Sequence, residues 1–155
     1  RFLIEKDQLD LAEQKLRDLI ATGEAGKPLI QACADLLRKF LNTKQDTHAL
    51  ALFQANQAIL KNNSSALFLA GSACYKLGKT VEATEYLGKA TDLAPSLPDP
   101  YLALGDVYAT DQPWQAATCY SRYHDQVSKN RFTRKIGLCK HADRLRLAVK
   151  ILSRR

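Results

Sequence analysis

The sequence predicts an all-α chain built from stacked antiparallel helix pairs. A block of residues recurs at a fixed interval of 34, which is typical of helical-pair repeats. Within each copy, apolar and small residues recur at helical spacing, so each helix is expected to bury one face. Six pairs of small or apolar residues share the interval: Leu67 with Tyr101, Ala70 with Leu104, Gly71 with Gly105, Cys74 with Tyr108, Ala83 with Ala117, and Tyr86 with Tyr120.

The first clear copy predicts two helices joined by a tight turn. Apolar spacing places the first helix at about residues 66–76 and the second at about 81–93. Gly78 lies between them, and glycine accepts the backbone angles that such a turn requires. Gly71 and Ala83 are small, which indicates that the two helices approach each other closely at these positions.

Polar residues and prolines mark the helix boundaries. Ser64 or Ser65 is expected to cap the first helix of this copy. Pro95 ends its second helix, because proline cannot continue a helical hydrogen-bond pattern. Pro98 and Pro100 then open the next copy, where proline is tolerated in the first turn.

The motif L-x2-A-G-x2-C-Y-x2-G-K-x3-A, which begins at Leu67, resembles the tetratricopeptide repeat (TPR) family. The resemblance implies a right-handed α-solenoid closed by a C-terminal capping helix. It covers about residues 64–127 most clearly and is weaker over 29–63. The predicted organisation is a single domain: an N-terminal helical extension at 1–28, a degraded repeat at 29–63, clear repeats at 64–97 and 98–128, and a basic capping helix at 129–155.

The degraded repeat departs from the pattern at two positions. Leu37 stands one repeat interval before Gly71, so a bulky side chain replaces the small contact residue. Asn56 stands one repeat interval before Ala90 and replaces a small apolar residue with a polar one. Both changes predict looser or shifted helix packing in this repeat.

The C-terminal segment carries a local excess of positive charge. Residues 129–155 contain ten Lys or Arg and one acid, Asp143, for a net charge of +9; because the whole chain carries +7, the part before Lys129 sums to −2. The segment also has an apolar stripe at helical spacing, which suits a helix that covers the last repeat. The stripe consists of Leu138, Ala142, Leu145, Val149 and Leu152, and the basic patch beside it of Arg134, Lys140, Arg144, Arg146 and Lys150.

This basic patch leaves an alternative function open. Clustered Lys and Arg are the electrostatic signature of contact with nucleic acid, including RNA, or with an anionic membrane surface. The same charge would attract an acidic protein partner. Phe132 is the one aromatic residue in the segment, so base stacking has little support.

The TPR resemblance implies a non-catalytic scaffold for protein–protein interaction and complex assembly. In that family, the first helix of each repeat lines a concave groove that holds a peptide or helix of a partner. An acid at Asp106 would repel a terminal carboxylate, so a mixed apolar and polar partner segment is expected, with basic residues opposite Asp99 and Asp106. The corresponding groove residues here are Arg38, Leu41, Asn42, Ser65, Phe68, Ser72, Tyr75, Lys76, Asp99, Leu102, Asp106 and Thr110.

The remaining features predict neither an enzyme nor a metal protein. No nucleophile motif, phosphate-binding loop or metal-ligand cluster accompanies the three histidines, so no catalytic residue, metal or cofactor is expected. Cys33, Cys74, Cys119 and Cys139 form no C-x-x-C pair. Unpaired, buried thiols indicate a reducing compartment such as the cytoplasm.

The chain contains no apolar run of membrane-spanning length. It begins at Arg1 and contains no methionine, which suggests a fragment of a longer protein. The exposed end of a solenoid can stack on another copy, so homo-oligomerisation stays open.

Overall fold

A computed structural model describes residues 26–129 and 141–153, together with 10–11, 13–14 and 16–18. The described residues form helices and the turns between them, with no strand among them. Residues 10–11, 13–14 and 16–18 are helical, and Leu16 is buried in the core. The later helices are α1 (Lys27–Asn42), α2 (Asp46–Ala55), α3 (Gln57–Leu60), α4 (Ser64–Lys76), α5 (Thr80–Leu93), α6 (Pro98–Tyr108), α7 (Pro113–Lys129) and α8 (Ala142–Leu152).

The helices stack as successive antiparallel pairs, so the predicted fold class is confirmed. Three pairs pack tightly: α1 with α2, α4 with α5, and α6 with α7. The first helices also adjoin one another, α1 against α4 and α4 against α6, while α2 packs on α4 and α5 packs on α6. Helix α8 packs on α7, in the place that the first helix of a further repeat would take.

The helix boundaries follow from local chemistry. Gly78 has φ +76°, a left-handed conformation that favours glycine, and it turns the chain between α4 and α5. Prolines lie in the first turns of α1 and α6 and at the start of α7. The cap of α4 differs from the prediction: the side chain of Asn63, not of Ser64 or Ser65, accepts a hydrogen bond from the Ala66 amide at 2.8 Å.

The close approach predicted at Gly71 is present, where α4 meets Leu87 of α5, and a second close approach occurs at Gly105. A Cβ added at Gly71 would lie 2.6 Å from Leu87 Cγ and 3.2 Å from the Leu87 backbone nitrogen. A Cβ added at Gly105 would overlap Tyr120 Cε1 and lie 2.7 Å from Tyr120 Cδ1. Contacts this short leave no room for a side chain. The recurring glycines therefore set the separation of α4 from α5 and of α6 from α7.

The second helices, however, do not repeat at the predicted interval of 34. Gly71 faces Leu87, whereas Gly105 faces Tyr120, so the contacting positions on the second helices are 33 apart. The starts of α4 and α6 are 34 residues apart, as predicted. The starts of α5 and α7 are only 33 residues apart, so α7 begins one position earlier in its repeat than α5 does. Tyr120 therefore occupies the same place in its repeat as Leu87, and not as Tyr86, which is only half-buried.

The degraded repeat shows the expected irregularity. Leu37 is fully buried in the core, so the bulky residue that stands in place of the glycine is packed inside this repeat. At Asn56 the second helix breaks into α2 and α3, and the Asn56 side chain donates to the Leu52 carbonyl oxygen at 2.9 Å. Such a bond competes with regular helical bonding, which is why asparagine interrupts helices.

The apolar stripe of α8 differs from the prediction at one position, where Ala148 takes the place of Val149. Ala148 is the buried residue of this helix, and Leu145 and Leu152 are half-buried beside it. Val149, a predicted member of the stripe, is 67% exposed. Leu138 lies outside the described residues. Helix α8 therefore covers the last repeat through its Leu145–Ala148–Leu152 side, while Arg146 and Lys150 lie on the exposed side.

Cys33, Cys74 and Cys119 are buried and free, as expected for core thiols, while Cys139 lies outside the described residues. Burial and the nearby Glu82 carboxylate raise the pKa of Cys74 to about 11, and its Sγ lies 3.7 Å from Glu82 Oε2. In the described part of the chain, no helix is long and apolar enough to cross a membrane.

We expect Cys74 to resist alkylation in the folded chain. At pH 8 a thiol of pKa about 11 is ionised to about one part in a thousand, and only the thiolate reacts. Peptide-resolved mass spectrometry after brief iodoacetamide treatment should find Cys74 unmodified, and fully modified after unfolding in guanidinium. Native labelling at the rate of an unfolded thiol would contradict the buried position.

Candidate partner-binding groove

The first helices place several predicted groove residues around one cleft. Arg38 lies on α1, Ser65 and Phe68 on α4, and Asp99 on α6, and all four line a cleft of about 360 Å³. A cleft of this size is in the range that binding sites occupy. The cleft is therefore built by three consecutive repeats and not by any one of them.

The floor of the cleft is apolar and fixed by the core. Phe68 is half-buried and packs against both of the larger core clusters, so only part of its surface faces the cleft. Leu69 and Pro100 are buried, whereas Leu97 is 40% exposed at the rim. Covering Leu97 and the open side of Phe68 would remove apolar surface from water, which favours an apolar occupant.

Opposite charges stand at the cleft. The side chain of Arg38 is 57% exposed, and its Nη1 lies 3.6 Å from Asp35 Oδ1. Such an exposed pair is weak, so Arg38 can turn to another acid at little cost. Asp99 is exposed at the start of α6. Burial is the main cause that raises the pKa of Tyr123, and the negative charge of Asp99 is the second.

Other predicted groove residues lie away from this cleft. Lys76 Nζ is 3.4 Å from Asp46 Oδ1 and so links α4 to α2. Tyr75 is 43% exposed near the end of α4, and Asn42 is exposed at the end of α1. Thr110 is exposed in the turn that follows α6. None of the four lines the cleft, so any role in binding would need a partner that extends beyond it.

Two further predicted groove residues take part in packing. Leu41 is buried in the core, so it cannot line a groove; the end of α1 turns this side chain inward. The Ser72 hydroxyl donates to the Phe68 carbonyl oxygen at 2.8 Å, a bond within α4 that leaves the hydroxyl less available to a partner.

Asp106, predicted in the groove, and Arg144, predicted in the basic patch, form a single ion pair. Arg144 Nε donates to Asp106 Oδ1 at 2.6 Å and Arg144 Nη2 donates to Asp106 Oδ2 at 2.8 Å. The Tyr120 hydroxyl also donates to Asp106 Oδ1, at 2.8 Å. A bidentate guanidinium–carboxylate pair is among the stronger polar contacts in proteins. Asp106 therefore meets a cation of its own chain.

The environment keeps the donors of this network protonated. Burial, followed by the hydrogen bond to Asp106, raises the pKa of the Tyr120 hydroxyl. The hydrogen bonds to Asp106 raise the pKa of Arg144. Both residues thus remain hydrogen-bond donors at any ordinary pH.

Leu102, also predicted in the groove, is half-buried beside this network and packs against the two C-terminal core clusters.

The basic patch loses part of its free charge to such contacts. Arg144 is paired with Asp106, and Arg146 Nη1 lies 3.4 Å from Asp143 Oδ1 in a highly exposed pair. Lys150 is exposed. Arg134 and Lys140 lie outside the described residues. Binding of nucleic acid or of an acidic partner by this patch stays a prediction.

The sequence missed several residues that line clefts. Ser64, Leu69, Leu97 and Pro100 complete the cleft on the first helices, and Leu97 belongs to a connection that a helix-based pattern ignores. A second cleft, of about 340 Å³, opens beside the break at Asn56, and the polar residue at that position was the available signal. It is lined by Phe53, Gln57, Lys61, Asn62, Leu67, Tyr86, Lys89, Asp92 and Leu93.

The stacked antiparallel helix pairs have the architecture of a TPR-type helical solenoid. Among solved structures, the crystal structure of MamA protein is similar, with a TM-score of 0.64 and 15% identity over 96% of this chain and 90% of that chain. The MamA RS-1 ArsTM double mutant is similar too, with a TM-score of 0.61 and 15% identity over 98% and 90% of the two chains. No protein-family model and no curated protein matches the chain. At this identity the likeness shows a shared fold.

Proposed function

We propose that this chain is a non-catalytic scaffold that holds a segment of a partner protein in the cleft on α1, α4 and α6, within a multiprotein complex. The cleft itself carries the proposal, since three repeats jointly form an apolar floor with a cation and an anion at its edge. Rigid helices that position a few polar groups around an apolar pocket are suited to recognising an extended or helical segment.

The partner segment should present a large apolar residue flanked by charge. Phe68 and Leu97 offer the apolar contact, Arg38 favours an acidic neighbour, and Asp99 favours a basic one. The sequence predicted a mixed apolar and polar segment with basic residues opposite both Asp99 and Asp106. Because Asp106 is already paired with Arg144, we expect the basic residue of the partner to lie opposite Asp99 alone.

The described thiols support a non-catalytic role. Burial raises the pKa of Cys33, Cys74 and Cys119, which is opposite to the lowered pKa of a nucleophilic cysteine. The same buried, unpaired thiols support a reducing compartment such as the cytoplasm.

Peptide selection provides the test. Peptides would be selected by phage display on the immobilised full chain and remeasured in solution by fluorescence anisotropy. We expect Arg38→Glu and Asp99→Lys each to weaken the selected peptides by about tenfold, because each places a like charge against the partner. Both side chains are exposed, so the fold should be unaffected.

Lys61→Glu is the matched control, since it makes the same charge change as Arg38→Glu at the rim of the second cleft. It should leave peptide binding unchanged. If the control weakens binding as much as Arg38→Glu, the effect is one of net charge. If neither Arg38→Glu nor Asp99→Lys has an effect, the partner site is not this cleft.

A further inference from the structure

Helix α8 packs along α7 but buries little of its own surface. Of its 11 residues only Ala148 is buried, whereas α7, on which it packs, buries six. The side chain of Arg144 remains 41% exposed even in its ion pair with Asp106. Elements with little buried apolar surface open locally at low free-energy cost. Helix α8 is therefore the described helix best suited to leave its place while the rest stays folded.

The surface under α8 has a distinct chemistry. Ala116 and Ala117 are small and buried, which lets the backbone of α8 approach α7 at Ala148. Leu145 packs against a second cluster, formed by Tyr101, Tyr123 and Val127. At the edge of this apolar strip stands Asp106, which receives Arg144.

The carboxylate of Asp106 is prepared for a guanidinium group. It lies on α6, and the Tyr120 hydroxyl from α7 holds one of its oxygens at 2.8 Å. Arg144 then contacts both oxygens, and its Nη1 lies 3.1 Å from His141 Nδ1. Arginine matches this planar, two-point geometry and lysine does not.

We propose that the surface of α6 and α7 beneath α8 is a docking site for an arginine-bearing amphipathic helix of a partner protein, and that α8 is its exchangeable occupant. The structure itself displays the chemistry of the ligand. An arginine is followed at +1 by a large apolar residue, at +4 by alanine, and at +7 and +8 by apolar residues: Arg144, Leu145, Ala148, Ile151 and Leu152.

This inference deepens the proposed scaffold function, on which it rests, because it gives the solenoid a second partner site next to the cleft. A partner helix must compete with α8, whose effective concentration as a tethered helix is on the order of millimolar. Binding is thus weak while α8 is docked and strong once α8 is released.

The experiment uses a fluorescent peptide of residues 141–153 and the whole 155-residue chain. In the Arg144→Glu chain, like charges at Asp106 should release the chain's own α8 and leave the site open. We expect this chain to bind the peptide about tenfold more tightly than the unaltered chain does. Added salt should weaken the binding, because the pair is partly exposed. A peptide carrying Arg144→Glu should not bind.

Two further chains serve as controls. Lys150→Glu makes a similar charge change on the exposed side of α8, so α8 should stay docked and peptide binding should match that of the unaltered chain. The double change Asp106→Arg with Arg144→Glu restores an ion pair of reversed sense, and it should exclude the unaltered peptide.

Circular dichroism would first establish that each chain keeps its helix content; if Arg144→Glu disturbs the fold, the uncharged Arg144→Gln replaces it. Equal peptide binding by the unaltered and Arg144→Glu chains would place the peptide elsewhere and overturn the proposal, as would no binding by a folded Arg144→Glu chain. These outcomes are independent of Arg38 and Asp99, so either site can fail alone.

Discussion

The substitution Gly71→Leu is expected to destabilise the chain by about 3 kcal/mol, because an over-packed contact forces helices apart. A Cβ at this position would already lie 2.6 Å from Leu87 Cγ and 3.2 Å from the Leu87 backbone nitrogen. The side chain of Leu87 could turn aside, but its backbone cannot move without shifting α5. For a chain of this size the loss corresponds to a fall in Tm of about 6–12 °C, which a circular dichroism melt would measure.

Gly88→Ala is the matched control for this substitution. Gly88 lies within α5, and an added Cβ there would meet nothing within 4 Å. Alanine has a higher helix propensity than glycine, so this change should raise stability by about 0.5–1 kcal/mol. Opposite signs at the two glycines would separate helix contact from helix propensity. An unchanged melt for Gly71→Leu would contradict the close approach of α4 and α5.

The sequence predicted the first helices well because their repeat is marked by glycines, and close contact with a second helix explains why glycine recurs there. Gly71 and Gly105 recur at the repeat interval, and both abut a second helix. Glycine within a helix is unfavourable unless contact requires it. The recurrence of glycine at equivalent positions therefore predicted a stack of closely paired helices. The scattered apolar residues alone would have been consistent with many helical bundles.

The register of α7 could not be predicted in the same way. Ala116 and Ala117 are both buried alanines, so Ala83 can be matched to either of them equally well. The choice depends on where α6 ends: α6 has 11 residues against 13 in α4, so α7 begins one position earlier than the repeat interval predicts, although the connection before it is one residue longer. A single-position shift turns a helix by about 100°, and it is enough to bury Tyr120 in the place of Leu87.

The Asp106–Arg144 pair was beyond sequence inference for a different reason. Its members lie 38 residues apart, on helices that are not consecutive, and their spacing follows no repeat. The sequence did show an excess of positive charge after a slightly acidic solenoid, which favours attraction between the two parts. Which acid meets which base depends on the packing of α8 against α7, in which Ala148 is the buried residue of α8 and Leu145 and Leu152 lie half-buried beside it.

Tyr120→Ala is expected to lower the free energy of unfolding by about 3–5 kcal/mol, because removing a buried aromatic ring leaves a cavity in the core. Tyr120 is buried, its ring lies against Gly105, and it belongs to the cluster that contains Ala148 of α8. Its loss should therefore loosen both the α6–α7 pair and the attachment of α8. Urea denaturation followed by circular dichroism would measure the change in the free energy of unfolding.

Tyr120→Phe separates the ring from its hydroxyl. This variant keeps the packing against Gly105 and removes one hydrogen bond to Asp106, a charged acceptor, so it should cost about 1.5 kcal/mol. Asp106 would keep both contacts from Arg144, and α8 should stay docked. If Tyr120→Phe and Tyr120→Ala proved equally destabilising, the hydroxyl and not the packed ring would determine stability at this position. A much smaller loss of unfolding free energy for Tyr120→Phe than for Tyr120→Ala would show that the ring stabilises the last repeat. The one-position shift of α7 is what places this ring against a glycine.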